Sequence, residues 1–475
     1  MMNLAYRLFV ALFPFVSLGY FYGLFRNWSL NGSLYPLIAL VAIMAVKTAL
    51  GQEIVMPFYQ RRKAFLTMLV VFLLVTSIST IVMSIYIDWS FNSSGYEVFK
   101  QPIVNAVKVL PRNIIVFFSF VVMFVMVGTL ADVTSTIRLL YASFTLVLIY
   151  GYVQVFAIFN IDLFQTVYNF VWPLIDSGWA GEERSVPYIF GIPPRINITM
   201  PEASEVSHYF QSAIYPFLLG SIVSDFSVFR RRLGGRPLEW VIFAASCPLL
   251  FFTVSSSGYF IFFMQMGLVL LLYLKYRGLT RGVVRFLTGF TVMAGIVGAL
   301  VVTKYYDELS QIDLAVIDKV FSVENGSSNT RYALSLAGLG VFLKFPLFGA
   351  GPANTNFFMS LFIPGWAADN YEITNAIATQ AIPTLNYWVE LLATAGVVGA
   401  GIYLYLLYRT MRPFARLGQA TAYDVYLKTS FYIYLLSSFA HGFNSSSMSF
   451  IYMWAIWAFY ICMITIQQRF DKADF

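Results

Sequence analysis

Two arginines, a few carboxylates and two histidines are the residues of this chain whose types and settings can do chemistry. Arg331 opens the stretch "NTRYALSLAGLGVFLKFPLFGAGPANTN" (329–356), and Arg195 stands in "IPPRINITMPEASEVSHYF" (192–210). A guanidinium is a planar fork of donors that clamps phosphate or carboxylate oxygens bidentately. Gly349, Gly351 and Pro352 follow Arg331 as a compact turn, and successive backbone N–H groups in such turns make anion-binding concavities. Arginines and turn together suit a phosphate-bearing lipid, with a pyrophosphate fitting both. Glu202, Glu205 and His208 share the Arg195 stretch. With Asp369, Glu372 and His441 they are the candidate proton acceptors for a hydroxyl. Plainer roles account for the same residues. Arg331 can snorkel from an interfacial helix, Glu202 can satisfy helix-start donors, and His208 can be a first-turn residue at an interface.

The elements that must hold these groups are membrane helices. The chain has 475 residues, 59% hydrophobic and 11% charged, with a mean hydropathy of +0.72. A soluble fold of this size cannot hide that much apolar surface, so the chain reads as an all-α polytopic membrane protein. At roughly 20 apolar residues per span, the sequence yields about twelve transmembrane helices, at 8–25, 34–51, 64–87, 113–130, 138–159, 209–227, 238–254, 257–274, 286–303, 386–408, 426–441 and 448–466. The first lacks a small-x-small cleavage site and is expected to be a retained helix. Cys247 and Cys462 both fall inside spans, which argues against a disulfide framework. The clusters "QRRK" (60–63), "FRRRLGGRP" (229–237), "KYRGLTRGVVR" (275–285) and "RTMRPFAR" (409–416) all fall on one side of that topology. The positive-inside rule makes that side, and both termini, cytoplasmic.

Outside the spans, the mass of this single membrane domain (1–475) is in three outer segments, 88–112, 160–208 and 304–385. The last lies between helices 9 and 10 and carries Arg331; the second carries Arg195. Residues 329–345 read as a short amphipathic helix capped by Asn329 or Thr330 and ended by Phe345-Pro346. Its Leu334, Leu336, Leu339 and Phe342 are expected on the membrane surface. Trp366 and Tyr371 in the large segment, and Tyr387 beside Asn386, are candidates to stack on or bond a substrate, although interfacial aromatic belts explain such residues equally well. The basic balance reports topology and not nucleic-acid binding. No G-x-x-x-x-G-K-[ST] run occurs, which disfavours an ATP-driven pump. A secondary transporter or flippase would show internal repeats and charged or broken helices near the midplane, whereas the polar signals here gather at the outer face. The chemistry is then expected outside, driven by the substrate itself.

Three motifs carry a resemblance. "RINITMPEASEVSHYF" is similar to an arginine, P-E-x-S/A, helix pattern; "NTRYALSLAGLGVFLKFPLFGAGPAN" to a T-R, P-L-x-G-x-G-P-x-N pattern; "LNYWVELLATAGVVGAGIYL" (385–404) to an H-N-x-x-L-E-L, G-x-x-G pattern. In this order and placement they resemble the O-antigen polymerase/ligase superfamily over about 110–460. The resemblance implies a glycosyltransferase with the large 304–385 loop in the periplasm, in the bacterial inner membrane. It implies no cofactor and no metal, and substrates that are glycans carried on undecaprenyl pyrophosphate. Arg195 and Arg331, with Gly349 and Gly351, would hold the pyrophosphate. Glu202, Glu205 and His208 would be the catalytic set, with Asn386, Tyr387, Trp366, Tyr371, Asp369, Glu372 and His441 binding substrate. Membrane lipids and a chain-length regulator are the further partners it implies. The ligase branch has a histidine before the motif's asparagine, where this chain has Leu385. That departure favours a Wzy-type polymerase of O-antigen or exopolysaccharide, with a ligase acting on lipid A-core as the alternative and a polysaccharide transporter as the second.

Overall fold

The computed structural model describes residues 1–16, 32–92, 102–175, 196–200, 202–229, 232–233, 235–253, 255–278, 326–378, 382–444 and 451–473. The apolar runs fold as helices. α1 (Met2–Ala11), α2 (Leu34–Ala49), α3 (Tyr59–Ile87), α4 (Pro102–Met126), α5 (Leu130–Ile158) and α6 (Asp162–Ile175) come first. A bent pair follows, α7 (Ala203–Tyr209) and α8 (Tyr215–Ser224), joined by a π turn at Phe210–Ile214. A small antiparallel hairpin pairs β1 (Arg232–Leu233) with β2 (Arg236–Pro237). Then come α9 (Glu239–Phe252), α10 (Ser256–Arg277), α11 (Gly326–Lys344), α12 (Thr355–Ser360), α13 (Tyr371–Ala378), α14 (Tyr387–Arg416), α15 (Ala422–His441) and α16 (Ile451–Ala473).

Side-chain chemistry sets where several helices start. Thr129 and Asp132 form a reciprocal capping box on α5, and Thr421 and Asp424 do the same on α15. Each box satisfies two backbone donors that a helix start otherwise leaves orphaned. Ser255 caps α10 by accepting from the Gly258 N–H. Asn386 caps α14 by accepting from the Trp388 and Val389 N–H groups.

Five helical stretches are long and apolar enough to cross a membrane: Tyr59–Phe91, Leu130–Ile158, Ser257–Arg277, Tyr387–Arg416 and Ile451–Arg469. Leu34–Ala49, Asn113–Met126 and Glu239–Phe252 are shorter apolar helices. The expected twelve spans are therefore met in part among the described residues. Of the run at 8–25 the described residues are 8–16, helical through Ala11, and 286–303 lies outside the described residues. The span expected at 209–227 opens on the π turn and continues as α8 to Ser224. Leu74, Ile78, Ile81, Val82 and Ile85 make an exposed stripe on α3, the surface a lipid solvent covers without cost.

One apolar cluster runs through the bundle, with Phe72, Phe120, Tyr141, Phe217 and Tyr460 among its buried rings. A second, built from Ile87, Leu334, Ala337, Val341, Phe358 and Ala393, joins α11 and α12 to the ends of α3 and α14. That second cluster corrects the expected position of 329–345. The segment is a helix that ends before Phe345-Pro346, but it begins at Gly326, ahead of the expected caps. Its leucines do not all share one exposed face. Leu334 is buried, whereas Leu336 and Leu339 are exposed. α11 descends alongside the first half of α14, with Gly338 against Val389, and the turn after α11 reaching Gly396. Gly396 is nine residues into α14, a depth of about 13 Å along the helix axis at 1.5 Å per residue.

At that depth α14 is broken. Gly396 has φ 61° and ψ −169°, and the 346–351 turn docks into the gap. The Val397 and Val398 N–H groups donate to the Pro346 and Leu347 carbonyls, at 2.8 and 3.1 Å. In return the Ala350 and Gly351 N–H groups donate to the Ala393 and Thr394 carbonyls, at 2.8 and 3.0 Å. Ser79 Oγ donates to the Gly349 carbonyl, and Asn354 Nδ2 to the Thr80 carbonyl, both at 2.8 Å. Irregular backbone is tolerated at membrane depth only where protein satisfies it in this way.

Candidate active site

The residues gathered around the His441 end of α15 come from distant parts of the chain. α7 carries Glu205 and His208, α15 ends at His441, and α16 begins with Tyr452 one residue in. The His208 and His441 rings meet edge to face, with centroids 4.5 Å apart. The Tyr452 hydroxyl is 2.9 Å from His208 Nδ1. His441 Nε2 is 2.8 Å from Gln211 Oε1, and Gln211 Nε2 donates to the Gly258 carbonyl at 2.6 Å. Gln265 Nε2 donates both to the Gln211 carbonyl and to Ser437 Oγ. His208, Gln211, Gln265, Ser437 and His441 are all buried. Buried polar groups persist when hydrogen-bonded, and such networks fix one arrangement of their members.

Arg331 reaches the same end of α15. Its Nη1 donates to the Asn444 carbonyl at 3.0 Å, three residues past His441. The α14 start is tied there as well. The Tyr387 N–H donates to the Gly442 carbonyl at 2.7 Å, and Trp388 Nε1 to the Phe439 carbonyl at 3.1 Å. Arg331, His441 and the start of α14 thus meet around one helix end, although 113 residues separate Arg331 from Asn444.

The carboxylates differ. Glu202 is exposed and accepts from Ser204 Oγ at 3.1 Å. Glu205, ahead of the span expected at 209–227, is half-buried, and its Oε2 is shut off from solvent with no hydrogen-bond partner among the described residues. Burial, with the Glu202 charge adding to it, pushes the Glu205 carboxyl up to about 8. A carboxyl poised near neutral pH suits proton transfer better than an ordinary one.

Other expectations are corrected. Gly349 and Gly351 do not open a nest of free N–H groups, because the Gly349 N–H donates to the Phe345 carbonyl and those of Ala350 and Gly351 to α14. Both glycines serve close approach. A Cβ at Gly349 would lie 2.4 Å from the Thr394 carbonyl carbon, and one at Gly351 would lie 2.4 Å from Thr80 Cα. The Tyr387 ring is buried against Trp388 and Tyr403, so it is packing and not an open sugar platform. Asn386 spends its Oδ1 on the α14 cap. Trp366, Asp369, Tyr371 and Glu372 are exposed, in a segment where Ile373 and Ala367 pack on Ala333, two residues past Arg331. Arg195 lies outside the described residues. Glu390, one turn into α14, borders a cavity of about 30 Å³ that Thr76, Asn113 and Thr394 also line. Among the described residues no group of three or more His, Cys, Asp or Glu is placed to hold a metal ion.

Residues 212–404 match a family model, Wzy_C, described as O-antigen ligase. That match supports the O-antigen polymerase/ligase superfamily. It indicates a ligase- or polymerase-type function without separating the two. The matched stretch contains Arg331, the 346–351 turn and the Gly396 break, whereas Glu205, His208 and His441 lie outside it. No curated protein matches the chain. Gln211, Gln265, Ser437 and Tyr452 escaped sequence reasoning. A signal existed for two of them, since Gln211 follows His208 by three residues and Ser437 precedes His441 by four, the spacings that share a helix face.

Proposed function

We propose that the chain is an integral-membrane glycosyltransferase that joins oligosaccharide repeat units carried on undecaprenyl pyrophosphate, at the periplasmic face of the bacterial inner membrane. The observation that carries this reading is the meeting of Arg331 and His208 at the His441 end of α15, with Glu205 one helical turn before His208 on α7. In the reaction, the Glu205 carboxylate takes the proton from an acceptor sugar hydroxyl. The hydroxyl oxygen bonds to the anomeric carbon of the donor, and the anomeric C–O bond to the pyrophosphate breaks. The pyrophosphate leaves with the electron pair, its added charge held by Arg331 and Arg195. Preorganised donors of this kind contribute about 3 kcal/mol each. Trp366, Tyr371, Asp369 and Glu372 would meet the glycan from the outer loop, and a chain-length regulator would act on the same face.

Leu385, where the ligase branch has histidine, packs beside Ile382 and Ala393 in an apolar cluster and brings no titratable group. This favours polymerase. The family's own description favours ligase, and one experiment separates them. Cells lacking the protein are complemented with wild type, Arg331→Ala or Arg195→Ala, and surface glycan is resolved on a gel. Polymerase predicts glycan capped at one repeat unit in the deletion strain, restored by wild type and reduced roughly 100-fold in length-extended product by either variant. Long chains accumulating on the lipid carrier, with none on the final acceptor, would instead establish a ligase.

A further inference from the structure

The last carbonyls of α15 are bonded from outside the helix. Past His441 the chain tightens, with the Phe443 N–H donating to the Ala440 carbonyl at 3.2 Å and the Asn444 N–H to the His441 carbonyl at 2.9 Å. A continuing α-helix would have given the Phe443 N–H to the Phe439 carbonyl, which is left over as helix-end carbonyls are. Trp388 Nε1 takes it, at 3.1 Å. The Tyr387 N–H takes the Gly442 carbonyl at 2.7 Å, and Arg331 Nη1 takes that of Asn444 at 3.0 Å. Three donors from two other helices thus hold residues 439–444 in order.

Trp388 is itself fixed. Asn386 Oδ1 accepts its backbone N–H at 3.1 Å, and its ring packs on Phe439, Phe443 and Tyr403, with centroids 5.1, 6.4 and 6.5 Å apart. The indole N–H edge lies against Gly442, where a Cβ would stand 2.6 Å from Nε1. Arg331 is set by what this clamp holds. Its side chain carries five N–H donors. The Asn444 carbonyl takes one, and no other hydrogen bond of this side chain is made among the described residues. The remaining donors point wherever that one bond turns the guanidinium. We infer that Trp388 is a positioning residue. Its indole N–H, against the small Gly442, fixes the 442–444 turn, and the Asn444 carbonyl so placed aims the free donors of Arg331 at the leaving pyrophosphate. The pyrophosphate half of this inference rests on the glycosyltransferase reading; the clamp half does not.

Trp388→Phe keeps a ring and removes the N–H. For purified protein in lipid bilayers with a polyprenyl-pyrophosphate donor, kcat of chain extension is expected to fall roughly 5- to 10-fold with KM little changed. Inorganic pyrophosphate, which carries the charge that develops on the leaving group, should bind more weakly by a similar factor. Gly442→Ala reaches the same contact from the other side. Gly442 is at φ −57° and ψ −23°, so alanine suits its backbone, and the added methyl displaces the indole. The same losses are expected. In an Arg331→Ala background neither change should lower the residual rate further, because both act through the arginine. A folded Trp388→Phe or Gly442→Ala protein with undiminished extension overturns the inference. So does a further loss of the same size in the Arg331→Ala background, which would make the role one of packing alone. A wild type that transfers no glycan but binds inorganic pyrophosphate, more weakly in Trp388→Phe and in Arg331→Ala, removes the proposed function and leaves the positioning role standing. A wild type that neither transfers glycan nor binds pyrophosphate removes both.

Discussion

Glu202 and Glu205 stand one helical turn apart and meet opposite surroundings. The first is in water, and the second is enclosed with its carboxyl pushed up to about 8. A base must be ionised to take a proton, so glycan extension is expected to rise as pH increases and to level off above about pH 8. In Glu205→Gln a low residual rate should be flat across that range, and a wild-type profile already level at pH 6 would remove Glu205 from the role. Stability runs the other way. The unfolded carboxyl titrates near 4.3, so between that pH and about 8 the folded chain binds more protons than the unfolded one. Stability is therefore lost as pH rises through this window. Thermal unfolding in detergent at pH 6 and pH 9 should show Glu205→Gln losing less between the two than wild type does. At Arg331 shape matters as well as charge. Lysine lacks the planar fork that can bond a carbonyl and a phosphate together, so Arg331→Lys is expected to remain near Arg331→Ala in gel-profiled product.

Helix α11 was legible as a helix, and its end at Phe345-Pro346 was read correctly, but its place was not. A helix whose Leu334, Ala337 and Val341 are buried and whose Leu336, Leu339 and Leu343 are exposed is apolar on more than one face. That pattern belongs to a helix held by its neighbours on one side with apolar surface left on another, which a single amphipathic stripe does not describe. The glycines of "PLFGAGP" and "GVVG" were legible as motifs, yet what they do depends on each other. Gly351 is at φ 77° with Thr80 against it, and Gly396 is at φ 61° with the Leu347 carbonyl 2.3 Å from where a Cβ would stand. Alanine at either position meets both left-handed backbone and direct overlap, and should cost at least about 2 kcal/mol. The expected readout is a lowered midpoint of thermal unfolding in detergent for Gly351→Ala and Gly396→Ala. Gly365→Ala, where a Cβ meets nothing within 4 Å, should leave the midpoint unchanged. Equal effects at all three would sink the docking account.

Across the whole molecule, composition disclosed the solvent and the charge clusters disclosed the sidedness expected here. The polar cluster was hidden, because its bonds join residues 47, 172, 230 and 244 positions apart, separations that no local period encodes. Sidedness itself can be measured. Cys247 and Cys462 are both buried, so the native chain should react little with a membrane-impermeant maleimide. Tyr371→Cys in the outer segment should then label in intact cells with the outer membrane opened, and Gly235→Cys only after the inner membrane is breached. The reverse pattern would invert the topology. The docked turn also orders the molecule's assembly in time. Residues 346–351 leave the ribosome about fifty residues before the strand of backbone that completes them, so during synthesis the turn has α3 at hand but not α14. Its closing is thus a late step. A chain halted before Val398 would hold the outer segment with its amides unmatched, and a graft of this segment from a relative would need to bring its own stretch of α14 along.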